Sequence, residues 1–434
     1  FNKKKTYEQH DNEKGSFYKN TVKPHNSKDI LEDYLEVDVC IIGGGLTGVS
    51  SALHLAKKGY KVAICESRLI GWGASGRNGG QSIFGYSCEM SKIQSLIGHD
   101  DAKKLWNLSI EALQLTKSLI QKYHIQCDYA DGHMHAAIKP RQHRELELWR
   151  AELSADYHYD DLEIWTGSIL KSKIATNRYL AGLFDPNSGH LHPLNYTLGL
   201  ADVVEKSGVH IHENSAALEV KEGNQIKVIT KSGEVFCKHL VLAGNAYLSQ
   251  LTGRIKNKLM PVGTYIGATE PLGKERAESL IQGNMAVADI NFVLDYYRLS
   301  ADHRMLFGGR VSYSTLPPLH LADSMKTRML KVFPQLSDVT IEYAWGGFVG
   351  ITMNRAPHFG KIGNNVFFAQ GFSGHGVALT GLAGKLMAQA ISGTAEQFDI
   401  FSRIPHLSFP GGPLLRMPAL VLAMAYYRLR DLLP

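Results

Sequence analysis

Short apolar, β-branched runs followed by glycine clusters recur along this chain. Val37, Val39, Ile41 and Ile42 form an apolar run that predicts a strand buried on both faces. Gly43, Gly44, Gly45 and Gly48 follow at once. Val49, Ala52, Leu53 and Ala56 then recur at helical spacing, up to a closing Gly59. Val62–Cys65 predicts a second strand ending at Glu66, which completes a strand–helix–strand unit of about thirty residues. Residues 105–123 and 194–206 carry helical spacing. Residues 209–229 read as short strands with a turn at Gly223-Asn224, and Ser232-Gly233 makes the next turn. Residues 240–243 predict a buried strand before Gly244. Alternating runs in residues 262–312, such as 293–299 and 305–307, predict an antiparallel sheet. The end repeats the opening rhythm: a strand at 366–369, glycines at 371, 374 and 376, and a helix over 377–391. Residues 1–35 are polar and Lys-rich and read as a solvated arm lying loosely on the body.

Composition narrows the class. The chain has 434 residues, 44% hydrophobic and 20% charged, which excludes a disordered protein. At ~150 residues per domain it holds two or three domains. Its longest apolar stretch, residues 418–427, falls short of the ~18 residues needed to cross a bilayer, and the arm has no apolar signal core. Five cysteines without a Cys-x-x-Cys pair point to reduced thiols and a cytoplasmic setting. A net charge of +6, with no basic run interleaved with aromatics, gives no reason to expect a nucleic-acid partner. His190-Leu191-His192 would present two rings from one strand, but no Cys or acid stands at ligand spacing, so no metal is expected. The composition is compatible with a homo-oligomer.

Three glycine-rich segments carry candidate chemistry. The first, Gly43-Gly44-Gly45-Leu46-Thr47-Gly48, fits G-x-G-x-x-G between a strand and a helix. Gly43 permits the turn, Gly45 admits a diphosphate to the main chain, and Gly48 lets helix and strand approach. Glu66, about 20 residues on, ends the second strand where a carboxylate can take ribose hydroxyls; Ser67 and Arg68 follow it. The second segment, residues 71–81, holds Ala74, Ser75, Arg77, Asn78, Gly79, Gly80 and Gln81 and reads as an open loop whose amides surround an extended ligand. The third, Phe372-Ser373-Gly374-His375-Gly376-Val377, opens a late helix. Its dipole can meet the edge of a flavin that becomes negative on reduction. Ala243 and Gly244 close a strand beside the first segment. Asp295-Tyr296-Tyr297-Arg298 alternates, so Tyr296 and Arg298 share a face and read as a wall of a substrate cavity.

With these residues in view, the chain resembles the D-amino-acid-oxidase-like family of FAD-dependent oxidoreductases from about residue 36 onward, with Trp345-Gly346-Gly347 among the matching motifs. The resemblance implies an α/β (α+β overall) architecture, a Rossmann-like FAD-binding domain with an antiparallel-sheet substrate domain over the flavin. It assigns residues 36–100, 185–255 and 345–400 to the FAD domain, 101–184 and 256–344 to the substrate domain, and 401–434 to a tail helix packed on the body. Ala217 falls where relatives touch adenine. With no Cys or His in residues 71–80, FAD is expected to be held non-covalently. Tyr296, Arg298, Trp345 and His375 are the candidate catalytic residues, and Arg77 and Arg298 the candidates to hold a distant carboxylate or the flavin.

One departure bears on the substrate. Relatives that oxidise α-amino acids place an Arg where this chain has Val349, and some place a second where it has Gly374. The expected substrate therefore has its reacting amine far from any carboxylate, as in gamma-glutamylputrescine: a glutamyl head, four methylenes and a terminal amine. The implied reaction is oxidative deamination to the aldehyde with NH3 and H2O2, in polyamine breakdown. Oxidation of a secondary or N-methyl amine, a quinone-linked amine dehydrogenase and a flavin-binding protein without turnover stay open at this point.

Overall fold

The structure is a computed structural model that describes residues 14–248, 251, 253, 255–309 and 320–410. Among the described residues, a six-stranded sheet runs in the order His358–Ile362, Val366–Gln370, His239–Leu242, Val39–Ile42, Val62–Cys65, His210–His212. All of its pairings are parallel except the one between His358–Ile362 and Val366–Gln370. The central strands Val39–Ile42 and Val62–Cys65 are apolar and buried on every residue because both of their faces are covered. Val39, Ile41, Val62, Ile64, Val241 and Phe367 face a helical layer. Cys40, Ile42, Ala63, Cys65, Leu240, Leu242 and Phe368 face a second, four-stranded sheet. The helices Leu46–Ala56 and Gly376–Ile391 pack through small residues. A Cβ on Gly384 would stand 2.6 Å from Ser50 Cβ, and the Ser50 hydroxyl donates to the Gly381 carbonyl at 2.6 Å.

A nine-stranded, mostly antiparallel sheet stands beside this layer pair. It runs Ile341–Ile351, Met260–Thr269, Met305–Gly309, Asp295–Leu299, Ala286–Asp289, Ala130–Ala137, Ala181–His190, Gln81–Ser82, with Glu163–Thr166 paired to Ala181–His190. Alternation sends Tyr297, Phe307 and Met305 into a core beneath the sheet, against the helix Leu321–Val332. Asp295 lies on that side too, with Arg328 Nη2 at 2.5 Å.

Several expectations change here. The arm is not loose from Lys14 onward: Phe17 and Tyr18, in the helix Phe17–Thr21, are buried against Ile266, Leu306 and Trp345. Leu31 is buried too, and Asp33–Glu36 adds a parallel strand to Gly233–Cys237. A polar stretch with an isolated aromatic pair hides this, because the apolar surface it covers belongs to distant strands. The domain boundaries move as well. Helix His99–Tyr123 packs into the core under the six-stranded sheet, while Gln81–Ser82, Ala181–His190 and Ile341–Ile351 belong to the nine-stranded one. His190 ends a strand whereas His192 caps the helix Pro193–Lys206, its Nδ1 accepting from Asn195 N at 3.1 Å, so the two rings do not share one strand. The helix Glu396–Ser402 ends before residue 405. Residues 403–410 of the expected tail helix are not helical, and residues 411–434 lie outside the described residues, as does the Lys3-Lys4-Lys5 run.

Candidate active site

Strands Val39–Ile42, Val62–Cys65 and His239–Leu242 are neighbours and parallel, so their carboxyl ends share one edge, where open α/β sheets bind ligands. A cavity of about 650 Å³ opens there and runs to the nine-stranded sheet, within the ~300–1,000 Å³ usual for small-molecule sites. Gly43, Gly45, Leu46 and Thr47 line it at the start of Leu46–Ala56, a helix with no acid in its first turn. Gly45 has its Cβ position 2.8 Å from Ser75 Oγ, and that oxygen accepts from Leu46 N at 2.8 Å. Gly48 does not reach the cavity. A Cβ there would overlap the Gly43 carbonyl oxygen, so its role is the close seating of helix on strand.

Glu66 and Ser67 line the same end. The Glu66 carboxylate accepts from Gly44 N at 2.6 Å, Arg68 N at 2.8 Å and Ser67 Oγ at 3.1 Å. Burial pushes its carboxyl above the ordinary range, and these donors oppose the shift. Arg68 itself stays off the cavity and lies over the Trp72 ring. Ala217, Ala243 and Gly244 complete this end.

The loop over residues 71–81 is tied rather than open. Asn78 Nδ2 donates to the carbonyls of Ala74 and Ser75 at 2.9 and 3.1 Å, and its Oδ1 accepts from Gly80 N at 2.7 Å. Ala74, Ser75, Arg77, Asn78, Gly79 and Gln81 line the cavity; Gly80 does not. Arg77 donates to the carbonyls of Trp72 and Gly346 at 3.1 and 3.0 Å, which braces the wall. Phe372, Ser373, Gly374, His375, Gly376 and Val377 line the cavity at the start of Gly376–Ile391, again with no acid in the first turn. His375 Nε2 donates to the Phe84 carbonyl at 3.2 Å. Burial pushes His375 down to about 4 and His135 down to about 3, so both rings in this wall are neutral near pH 7.

On the sheet side Tyr296 lines the cavity, but Arg298 and Trp345 do not. Arg298 is buried and donates to Gly79 O at 2.8 Å, Tyr18 Oη at 3.1 Å and Leu299 O at 3.2 Å. Trp345 is fully buried, its indole N–H on the Arg77 carbonyl at 3.1 Å and its ring against Tyr18. Neither reaches the cavity; they hold the loop that lines it. Sequence reasoning had the shared face of Tyr296 and Arg298 right, but the arm inserted over Arg298 was invisible to it.

The sequence matches the DAO family, described as FAD dependent oxidoreductase, over residues 38–390. The chain belongs to this family. It is 40% identical over 417 residues, 96% of this chain and 98% of the relative, to gamma-glutamylputrescine oxidoreductase of Escherichia coli (strain K12). It is 42% identical over 399 residues, 91% of this chain and 92% of the relative, to the probable oxidoreductase OrdL of Haemophilus influenzae. In three dimensions it matches the crystal structure of glycine oxidase from Bacillus cereus, with TM-score 0.69 at 22% identity over 86% of this chain and 99% of that one.

As a member of the DAO family the protein is an FAD-dependent oxidoreductase. The cavity suits that cofactor: two helix N-termini without acids face it, and a Cβ at Gly45 would crowd the first cradle. The sequence reading missed part of the wall, including Arg141, Glu145 and Trp149 from the helix Pro140–Tyr157 and Phe292 from the loop after Ala286–Asp289. The local signal for the three helix residues was their spacing of four, which is also ordinary for an exposed helix face. Among the described residues no helix is long and apolar enough to cross a membrane, and no group of three metal-ligating side chains is assembled.

Proposed function

We propose that this protein holds FAD non-covalently and oxidatively deaminates gamma-glutamylputrescine, or a closely similar γ-glutamylated amine. In this reading Gly43, Gly45, Leu46 and Thr47 receive the diphosphate, Glu66 the ribose and Ala217 the adenine. Residues 74–81 and 372–377 hold the flavin. Non-covalent attachment is supported by the placement of the two nearby cysteines. Cys65 lines the cavity beside Glu66, at the ribose end of this reading, and Cys88, between the lining residues Ser87 and Glu89, has a thiol that burial pushes up to about 11 and so keeps protonated. Five free thiols suit a cytoplasmic location.

The observation that carries the substrate choice is the wall at Gly347, Phe348, Val349 and Gly350. None of these four residues is a cation, where the family's α-amino-acid oxidases clamp a carboxylate. Gly374, next to the Ser373 whose N–H donates to Gly350 O at 3.0 Å, is equally bare, and Arg77, packed on Gly347, has its guanidinium on the Trp72 and Gly346 carbonyls. Bound FAD supplies the two-electron acceptor for the hydride on the carbon bearing the amine. The chain positions that bond and keeps the amine neutral. Tyr296, Phe292 and Phe372, with the neutral His135 and His375, make a poorly hydrated wall that disfavours an ammonium and lowers its pKa. Overall, amine, O2 and water give aldehyde, ammonia and H2O2, a step in polyamine breakdown.

The test is anaerobic titration of the yellow holoprotein with gamma-glutamylputrescine, putrescine, sarcosine, glycine and D-alanine. The γ-glutamyl amine should bleach the flavin at the lowest concentration, and readmitted air should yield one peroxide per amine consumed. Protein that stays colourless after incubation with FAD, or is bleached equally well by glycine, would refute the reading.

A further inference from the structure

The helix Pro140–Tyr157 turns one face to the cavity. Arg141, Glu145 and Trp149 follow one another every fourth residue, and all three line the wall. Eight residues at ~1.5 Å rise make this face about 12 Å long. Its inner end is located by contacts. The Trp149 ring lies 5.0 Å from His135 and 5.5 Å from Phe84, whose carbonyl is the acceptor for His375 at the start of Gly376–Ile391. The outer end carries Arg141 and Glu145, whose side chains are 43% and 48% exposed with 3.3 Å between Nη1 and Oε1. Gln142 fixes the first turn to the loop after Ala286–Asp289. Its Oε1 accepts from Ile138 N at 2.8 Å, and its Nε2 donates to Asn291 Oδ1 at 2.8 Å.

Helix stability does not account for this pair. An exposed pair at this spacing contributes little, the cation stands N-terminal to the acid in the weaker order, and Arg141 sits in the first turn, where the dipole opposes it. A guanidinium and a carboxylate side by side at a cavity mouth are instead complementary to an α-amino-acid zwitterion. The fork of Arg141 can take its carboxylate through two hydrogen bonds, and Glu145 its ammonium.

We infer that Arg141 and Glu145 recognise the α-amino-acid head of a γ-glutamylated amine, with its methylene chain lying along Trp149 toward His375. The inference rests on the substrate proposed above. From the glutamyl Cα to the terminal nitrogen of gamma-glutamylputrescine there are nine bonds, an extended reach of about 11 Å, which matches the length of the helix face. The other cavity-lining cations of this region have structural partners: Arg77 holds two carbonyls, and Arg355 Nε donates to Ser87 Oγ at 3.2 Å. Free putrescine has no carboxylate for Arg141 and brings a second positive charge to it, so the pair selects for the conjugated amine.

The experiment compares wild type, Arg141→Gln and Glu145→Gln as holoproteins, on gamma-glutamylputrescine and on N-acetylputrescine, which keeps the amide and the reacting amine but lacks the zwitterion. Both side chains are exposed, so unchanged flavin absorbance and Tm serve as folding controls. Arg141→Gln should raise KM for gamma-glutamylputrescine about 10-fold with kcat within two-fold, and Glu145→Gln should raise it by a smaller factor. Wild type should use N-acetylputrescine at least about 10-fold less efficiently, with no further loss in either variant. An unchanged KM in Arg141→Gln, or wild-type turnover of both substrates with equal efficiency, overturns the inference and leaves the proposed function standing. Wild type that gamma-glutamylputrescine fails to reduce overturns both.

Discussion

At the scale of the residue, Arg298 shows how a buried charge can serve a site without entering it. Its guanidinium spends donors on Gly79 O, Tyr18 Oη and Leu299 O, and it lies over the Tyr18 ring. Burial pushes the Tyr18 phenol up, so it remains a neutral acceptor for that donor. Truncation would leave those acceptors unsatisfied in a region closed to water, at a cost of about 3 kcal/mol. Arg298→Ala is therefore expected to lower Tm and weaken FAD retention through the Gly79 loop, while KM at saturating FAD moves little. Thermal melts, flavin content after gel filtration and KM with added FAD separate these effects. A large KM rise with normal flavin content would return Arg298 to substrate contact.

At the scale of the element, the segment after Lys14 acts as a cover on the sheet face beside the cavity. Phe17 and Tyr18 meet edge-on with ring centroids 5.7 Å apart. They close over Ile266, Leu306 and Trp345, residues that would otherwise present apolar surface to water. Phe17→Ala should cost about 3–4 kcal/mol, read as a lower urea midpoint at unchanged m. A loose arm would show no shift. The 71–81 loop makes the complementary case. Its glycines made it look open, but Asn78 closes it with three hydrogen bonds. Composition reports freedom in the unfolded chain, and only the bonded partners report what remains of it after folding.

At the scale of the whole molecule, buried imidazoles set the acid limit. Burial holds His54, His135, His190, His192 and His358 at about 3, and His375 and His406 at about 4. The unfolded chain takes up these protons near 6.5 and the folded one does so only near 3–4. Between those values the unfolded state binds more protons, so stability falls as pH drops below about 6.5. Asp289 runs the other way: burial raises it to about 7, so its contribution is lost as pH rises through that value. Burial raises Glu66, Glu152 and Asp295 as well, but it also lowers His133, His212 and His239, so among the described residues four carboxyls stand against ten imidazoles and the acid effect dominates. Tm should fall steeply from pH 6.5 to 4.5, and a flat profile over that range would contradict the buried neutral state.

The first strand–helix–strand unit, the glycine cradle, Glu66 and the late helix start were all open to inspection in the primary structure. They depend on φ limits, backbone hydrogen bonds and periodic burial acting within about thirty residues, and such constraints leave a local pattern. Which side chains face the cavity is another matter. Tyr18 reaches Arg298 across 280 positions and Trp345 reaches Arg77 across 268. The helix Pro140–Tyr157 supplies a wall although nothing in its own sequence distinguishes it from a solvated surface. These placements come from packing between distant segments, where each surface is completed by a partner that local periodicity does not encode. The proposed cofactor cradle was thus written along the chain, whereas the proposed substrate wall exists only once the two sheets, the N-terminal segment and that helix have come together.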